Sequence, residues 1–550
     1  MMGQWKRTLG RVLGTIAFVL IISHFFVSRA HAEDAVYQYA ATSGARTAYL
    51  WVPAPCAHVR GVIVAFSNLL ERRWLEDPLI RATARKQCLG ELWVGPGKGS
   101  ALNANMNPAA TAAFEQLMVD LAATSGFAEI ASAPVIATGH SANGNFAWNF
   151  ARALPQRTIA AVAIKTSPLP TGLDLPGIPF LYMVGETTEW PQYKDGRPGD
   201  RDYFWPVVRE SALRMRGADD ENLIGVVTDP GGGHFDWSSR QAALLALFLE
   251  KACNMRLPMM GVGGAEQLRP VRAAQGWLTD THGVQPETYP AAPYAAYAGD
   301  KSKAYWFFDR EMAEAASRFN GDRKLRKRQM LTFEQDGALL PVAKLGFAPL
   351  QFEPEADGVT FTLQPRFLPA IPGELIGAGT ALGHANGRIH LSLITGMAEQ
   401  SAPNKFRLAM HRGDADGVVW IQEEQEGNAE YRKAVQPGQM HIPVLQDDGK
   451  PQTIEFDPIP DQAADTKRVQ LHAVANSGLP VRWYVEYGPA QVQGDVLVMD
   501  EVPQFAGKAI DIKVVAYQWG LKGSVASAPP VARTFRLLTA AHPVSGTAAP

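Results

Sequence analysis

The sequence predicts a mostly parallel α/β sheet domain flanked by helices and followed by two β-sandwich domains. Three observations carry that prediction. Before about residue 255, short apolar runs alternate with longer amphipathic stretches, as in a parallel sheet covered on both faces. From about 331 the hydrophobic period becomes two, and Gly and Pro break the runs at short intervals. A chain of 550 residues has room for about three or four domains.

In the first block the strand candidates are Ala48–Val52, Gly61–Phe66, Leu89–Val94, Pro134–Thr138, Ile159–Ile164, Pro179–Val184 and Leu223–Thr228. A weaker one lies near Tyr37–Ala41. Helix candidates separate most of them: Leu79–Gln87, Ala109–Ala123, Gly144–Leu154, Tyr203–Arg216 and Ser239–Ala252. Residues 257–330 are less regular and are expected to pack on this block as a helical extension. One helix is expected from Tyr305 to Phe319, with Phe308, Met312, Ala315 and Phe319 on one face and Gly321 as its stop. The run Arg323-Lys324-Leu325-Arg326-Lys327-Arg328 reads as a solvated basic face, with a patch for acidic polysaccharide as the alternative.

In the β part, Val359, Phe361 and Leu363 alternate with polar residues. Ile389, Leu391 and Leu393 do so after the turn signal Asn386-Gly387, and Phe406, Leu408 and Met410 follow. A second unit begins after Asp447-Asp448-Gly449. Its alternating sets are Val469/Leu471, Val481/Trp483/Val485, Val496/Val498 and Ile510/Ile512/Val514. The stretches Phe456-Asp457-Pro458-Ile459-Pro460-Asp461-Gln462 and Ser477-Gly478-Leu479-Pro480-Val481 resemble bacterial immunoglobulin-like domains of surface and secreted proteins, over about 452–538. The expected boundaries are thus 33–256, 257–330, 331–450 and 451–538, with 539–550 as a loose tail.

The first 32 residues read as a targeting segment. Lys6, Arg7 and Arg11 precede the apolar run Val12–Val27, and Ala30-His31-Ala32 offers a cleavage site. The apolar run is shorter than the roughly 20 residues of a spanning helix, so a cleaved signal peptide is expected rather than an anchor, with no stable membrane insertion afterwards. Export to the periplasm or the extracellular space follows. Cleavage would remove Lys6, Arg7, Arg11 and Arg29 and no acid, moving the formal charge from −2 to −6. An acidic export product is a poor nucleic-acid binder. Of three cysteines, Cys56 and Cys88 are the expected disulfide, because they flank the same strand and helix; Cys253 is left free. No Cys/His spacing suits zinc, and Asp, Glu and His do not cluster at ligand spacing, so neither a metal nor an organic cofactor is expected.

The chemistry centres on Gly139-His140-Ser141-Ala142-Asn143-Gly144, between the apolar run Val135–Thr138 and a helix candidate. A strand, a tight turn and a helix lift a serine out of the sheet and expose its hydroxyl. A serine hydroxyl needs a base, a group to orient that base, and donors for the oxyanion. The candidate base is His234, in Gly231-Gly232-Gly233-His234-Phe235-Asp236-Trp237 after the last strand. Between the two, after Pro179–Val184, comes Gly185-Glu186-Thr187-Thr188-Glu189. Glu189 is the expected acid, Glu186 the alternative, and Asp195, Asp200 and Asp202 lie further along the loop. His140 is read as a packing or hydrogen-bonding residue.

Serine, acid and histidine in that chain order, each at a strand's C-terminal end, resemble the α/β-hydrolase superfamily over about residues 34–255. The chain differs from the family's G-x-S-x-G by carrying Asn143 two places after the serine. It also has Phe66-Ser67-Asn68-Leu69 where members often carry His-Gly. The resemblance places the oxyanion donors at the N–H of Ala142 and of Asn68 or Leu69, with the Asn68 side-chain amide as a further donor. It implies a secreted serine hydrolase that cleaves carboxylic esters through an acyl-enzyme. The Trp, Tyr, Arg and Asp residues between Thr187 and Trp205 suit a polar or polysaccharide-linked ester. Trailing β modules look like those of enzymes acting on extracellular polymers, such as feruloyl and acetyl-xylan-type esterases. Two other readings are a serine peptidase or amidase on the same scaffold, and a non-catalytic surface or glycan-binding protein.

Overall fold

The computed structural model describes residues 36–539 apart from 187–203, 230, 259–266, 281–288, 322–325, 343–345, 374, 376, 414–415 and 505. The targeting segment, the tail beyond Thr539, part of the basic run, and Glu189, Asp195, Asp200 and Asp202 lie outside the described residues.

Eight strands form one sheet: β1 Tyr39–Ser43, β2 Arg46–Trp51, β3 Gly61–Phe66, β4 Leu89–Val94, β5 Val135–His140, β6 Thr158–Ile164, β7 Phe180–Gly185 and β8 Ile224–Asp229. Their order is β1-β2-β4-β3-β5-β6-β7-β8. Only β2 runs antiparallel to its neighbours; β3 to β8 pair in parallel. The N-terminal region therefore resembles an α/β hydrolase. The near-continuous apolar strands are explained by burial on both faces. Along β3, Ile63 and Ala65 enter one core while Val62, Val64 and Phe66 enter the other.

Seven helices connect or cover these strands among the described residues: α1 Glu71–Leu75, α2 Pro78–Gln87, α3 Pro108–Ser125, α4 Phe146–Ala153, α5 Phe204–Ala218, α6 Ser239–Arg256 and α7 Arg310–Gly321. Local chemistry sets several starts. Asp77 and Asn107 cap α2 and α3 with proline at the next position, and Ser238 caps α6. Gly126 ends α3 at φ 85°. Cys56 and Cys88 are disulfide-bonded, with Cα atoms 5.6 Å apart, and Cys253 is buried and unbonded.

Two expectations change. The helix expected from Tyr305 starts only at Arg310, because Asp309 caps it through the Met312 N–H at 2.9 Å. Tyr305–Phe307 is instead a strand paired with Trp277–Thr279. These residues lie over β8, and Phe308 packs on Phe248 of α6 at 5.1 Å between ring centroids. In the strand Val496–Met499 the core face is Leu497 and Met499, not Val496 and Val498. All four side chains are apolar, so alternation could not reveal the buried face.

Beyond residue 331 the chain is β-rich. One four-stranded sheet pairs Ala348–Leu350, Ala434–His441, Val418–Gln425 and His390–Thr395 in that order. The last residues add a sheet of Arg482–Tyr487, Ala509–Gln518 and Ala528–Leu538. No helix among the described residues is long and apolar enough to cross a membrane.

Candidate active site

Ser141 directly follows β5 and opens a short 3-10 turn, Ser141–Asn143, before α4. Its φ is +49°, a strained value for a residue with a side chain. The turn is possible because Gly139 and Gly144 flank it. A methyl on Gly139 would collide with the Asn143 carbonyl, and one on Gly144 would collide with the Thr166 side chain. Thr166 Oγ1 donates to the Ser141 carbonyl at 2.6 Å, and the Gly144 N–H donates to the same oxygen at 3.1 Å. Asn143, the residue that departs from the motif, anchors the turn to the loop after β3, with Nδ2 donating to the Ser67 carbonyl at 2.8 Å.

His234 lies 93 positions further along the chain, in the loop after β8. Its Nε2 is 2.8 Å from Ser141 Oγ. The structure thus brings these two expected residues into direct hydrogen-bond contact.

The loop that carries His234 is held at almost every residue. Gly231 N–H donates to Glu186 Oε2 at 2.7 Å. Gly233 N–H donates to Asp236 Oδ1. The His234 carbonyl is 2.7 Å from His140 Nε2. His140 is fully buried, and Asn68 Nδ2 lies 3.3 Å from its Nδ1. The amide can only donate, so Nδ1 accepts and Nε2 carries the proton that binds the His234 carbonyl. Burial, reinforced by His234 and then Lys165, holds the His140 pKa well below the usual histidine range. Beneath the loop, the buried Lys165 ammonium reaches Asp236 Oδ1 at 3.2 Å and Asp229 Oδ2 at 3.5 Å. Burial raises the Asp229 pKa, and Lys165 opposes that shift. Lys165, which directly follows β6, thereby ties the loop to the end of β8.

The donors expected from the loop after β3 are engaged within the protein. The N–H groups of Asn68 and Leu69 both donate to Glu71 Oε2, at 2.9 and 2.8 Å. The Asn68 side-chain amide is turned to His140. Glu71 Oε1 accepts the His140 N–H at 3.0 Å. This buried carboxylate therefore ties the loop after β3 to the end of β5. Burial pushes its pKa up to about 7 against the pull of those backbone N–H groups. Ala142, exposed beside the nucleophile, remains as an expected donor. Glu186 is buried, with Oε2 on Gly231 and Oε1 paired to Arg432 Nη1 at 2.8 Å.

Sequence reasoning missed Glu71, Lys165, Asp229, Asp236, Gln422 and Arg432 as parts of this site. Asp236 offered a signal, being an acid two residues after the candidate base and inside an apolar loop. Glu71 offered a weaker one, an acid directly after Leu69-Leu70.

No family model matches the chain, and no curated protein matches it. Solved structures do show a likeness. A poly(3-hydroxybutyrate) depolymerase from Bordetella parapertussis is 15% identical, over 39% of this chain and 88% of its own, with a TM-score of 0.26. Poly(aspartic acid) hydrolase-1 from Sphingomonas sp. KT-1 is 13% identical, over 38% of this chain and 98% of its own, with a TM-score of 0.28. A siderophore hydrolase from Aspergillus nidulans is 13% identical, over 42% of this chain and 98% of its own, with a TM-score of 0.27.

Proposed function

We propose that this chain is an exported serine hydrolase that cleaves carboxylic esters, with Ser141 as nucleophile and His234 as base. The observation that carries the reading is the 2.8 Å contact between Ser141 Oγ and His234 Nε2, made by a serine at φ +49° on a strand-to-helix turn. Strain at that position is the usual mark of a nucleophile elbow.

In the first step His234 Nε2 takes the hydroxyl proton as Oγ attacks the ester carbonyl. The tetrahedral oxyanion accepts from the Ala142 N–H. His234 then gives its proton to the leaving alcohol, and an acyl-enzyme forms on Oγ. Water repeats the cycle and releases the acid. With the loop after β3 turned toward Glu71, Ala142 is the donor retained here. Glu189 is assigned as the acid on chain order. The polar character of the segment from Thr187 to Trp205 favours polar or polysaccharide-linked esters. The β-rich residues 331–450 and 451–538 are assigned as accessory modules, the second of immunoglobulin-like type.

A panel of p-nitrophenyl esters and aminoacyl anilides tests the reaction class. Ester turnover is expected, and Ser141→Ala should lower kcat by at least about 1,000-fold without altering the thermal melt. Turnover of the anilides alone would move the assignment to an amidase. Wild-type-like turnover by Ser141→Ala would remove Ser141 from the mechanism.

A further inference from the structure

The β-rich residues after 331 reach the histidine loop at four points. Gln422, on the strand Val418–Gln425, faces Trp237 with its amide like a neighbouring strand. Its Oε1 accepts the Trp237 N–H at 3.1 Å, and its Nε2 donates to the Trp237 carbonyl at 2.7 Å. Both residues are about 1% exposed. Trp420, two residues earlier, packs on Phe235 at 4.7 Å between ring centroids, and Phe347 packs on both rings, at 5.7 and 5.1 Å. Phe235 in turn meets the His234 imidazole edge to face at 4.5 Å. Arg432 pairs with Glu186, which holds the Gly231 N–H. A methyl on Gly231 would collide with the Lys433 carbonyl, so the two backbones touch there.

Gly231-Gly232-Gly233 gives this loop little shape of its own. Glycine adds no rotamer and loses the most conformational freedom when ordered. The imidazole must nevertheless stay within hydrogen-bond reach of Oγ. Misplacing a catalytic group by about 1 Å costs on the order of 100-fold in rate. From the first block, His140 and Asp236 hold the middle of the loop. At its far end, Phe235 and the Trp237 backbone are held by residues of the β-rich part, while the Trp237 indole N–H donates to Asp77 Oδ2 at 3.0 Å.

We propose that Phe347, Trp420 and Gln422 of the β-rich part are a working part of the hydrolytic site, and that Gln422 is a positioning residue. It fixes the His234 loop in register with Ser141 by pairing with both backbone groups of Trp237. Phe347 and Trp420 support it by fixing the ring of Phe235. The β-rich segment is then no passive spacer, because the hydrolase region carries its base on a loop that this segment completes. This inference rests on the serine-hydrolase reading above.

The test uses the full chain with Gln422→Leu, Phe347→Ala and, as a control, Lys405→Ala. Lys405 is an exposed residue paired with Glu355, away from the loop. The readouts are the rate of fluorophosphonate labelling at Ser141, kcat and KM on a soluble ester, and the thermal melt. Gln422→Leu is expected to slow labelling and lower kcat by about 10- to 100-fold, with KM within about twofold. Phe347→Ala is expected to cost about 3- to 10-fold in kcat, and Lys405→Ala nothing. A purely structural role would move the melt and leave kcat unchanged below it. If Gln422→Leu fails to fold, Phe347→Ala decides alone. Labelling and kcat at the wild-type level in folded variants would overturn the proposal while leaving the hydrolase reading intact. Absence of labelling in the wild-type protein would overturn that reading itself.

Discussion

His140 and Glu71 are buried ionisable side chains beside the half-buried Ser141, and burial shifts both toward their neutral forms. Their consequences for pH have opposite sign. Glu71 has a folded pKa of about 7, above its ordinary 4.5, so its contribution to stability is full below 4.5 and is lost as pH rises through 7. His140 is depressed below its ordinary 6.5, so its contribution is full above 6.5 and is lost as pH falls through the folded value. Urea unfolding from pH 8 to pH 5 checks both. On acidification the stability advantage of wild type over Glu71→Gln should grow, and that over His140→Gln should shrink. Parallel behaviour of the two variants would contradict the assignment. The role of Glu71 was not legible in the sequence, and for His140 the hydrogen-bonding role was read but not its partner. Glu71 opens a five-residue helix with no periodicity to read, and His140 acts through the carbonyl of a residue 94 positions away.

At the scale of elements, the turn between β5 and α4 explains why Ser141 was easy to find. An apolar strand, two glycines and a helix form a contiguous pattern, and each glycine has a steric reason visible in the structure. Gly144→Ala would drive a methyl into Thr166. A loss of about 1–3 kcal/mol in unfolding free energy is expected, as for overpacking elsewhere, together with slower labelling of Ser141. An unchanged urea midpoint would mean that the turn relaxes at no cost. The loop after β8 is the opposite case. Its glycines and His234 were legible, but its shape is set by Lys165, Glu186 and Gln422, which come from three distant segments. Long-range hydrogen bonds leave no period in a sequence, so the candidate base could be named while its support could not.

On the scale of the whole molecule, the described residues between Tyr37 and Thr539 belong to one compact unit. The C-terminal β-rich part bonds the residues just before β1 and a side chain of β2. Gly488 N–H donates to the Tyr37 carbonyl at 2.8 Å, and the Tyr49 hydroxyl bonds Glu486. Ile510 enters the same core as Leu121 and Phe127 of the first block. The change from alternating helices and strands to period two marked where the architecture changes; it carried no information on how closely the parts adhere. Ile510→Ala should therefore cost about 2–4 kcal/mol, as other buried truncations do, and lower a single cooperative melt. A separate early transition confined to the C-terminal part would show that the two parts unfold independently.

The central claim is that Ser141 is an activated nucleophile served by His234. The most direct measurement is peptide mapping by mass spectrometry after treatment of the intact protein with a fluorophosphonate. One adduct on Ser141, absent from Ser141→Ala and strongly slowed in His234→Ala, is the predicted result. An unmodified Ser141, or an adduct that forms equally fast in His234→Ala, would contradict it.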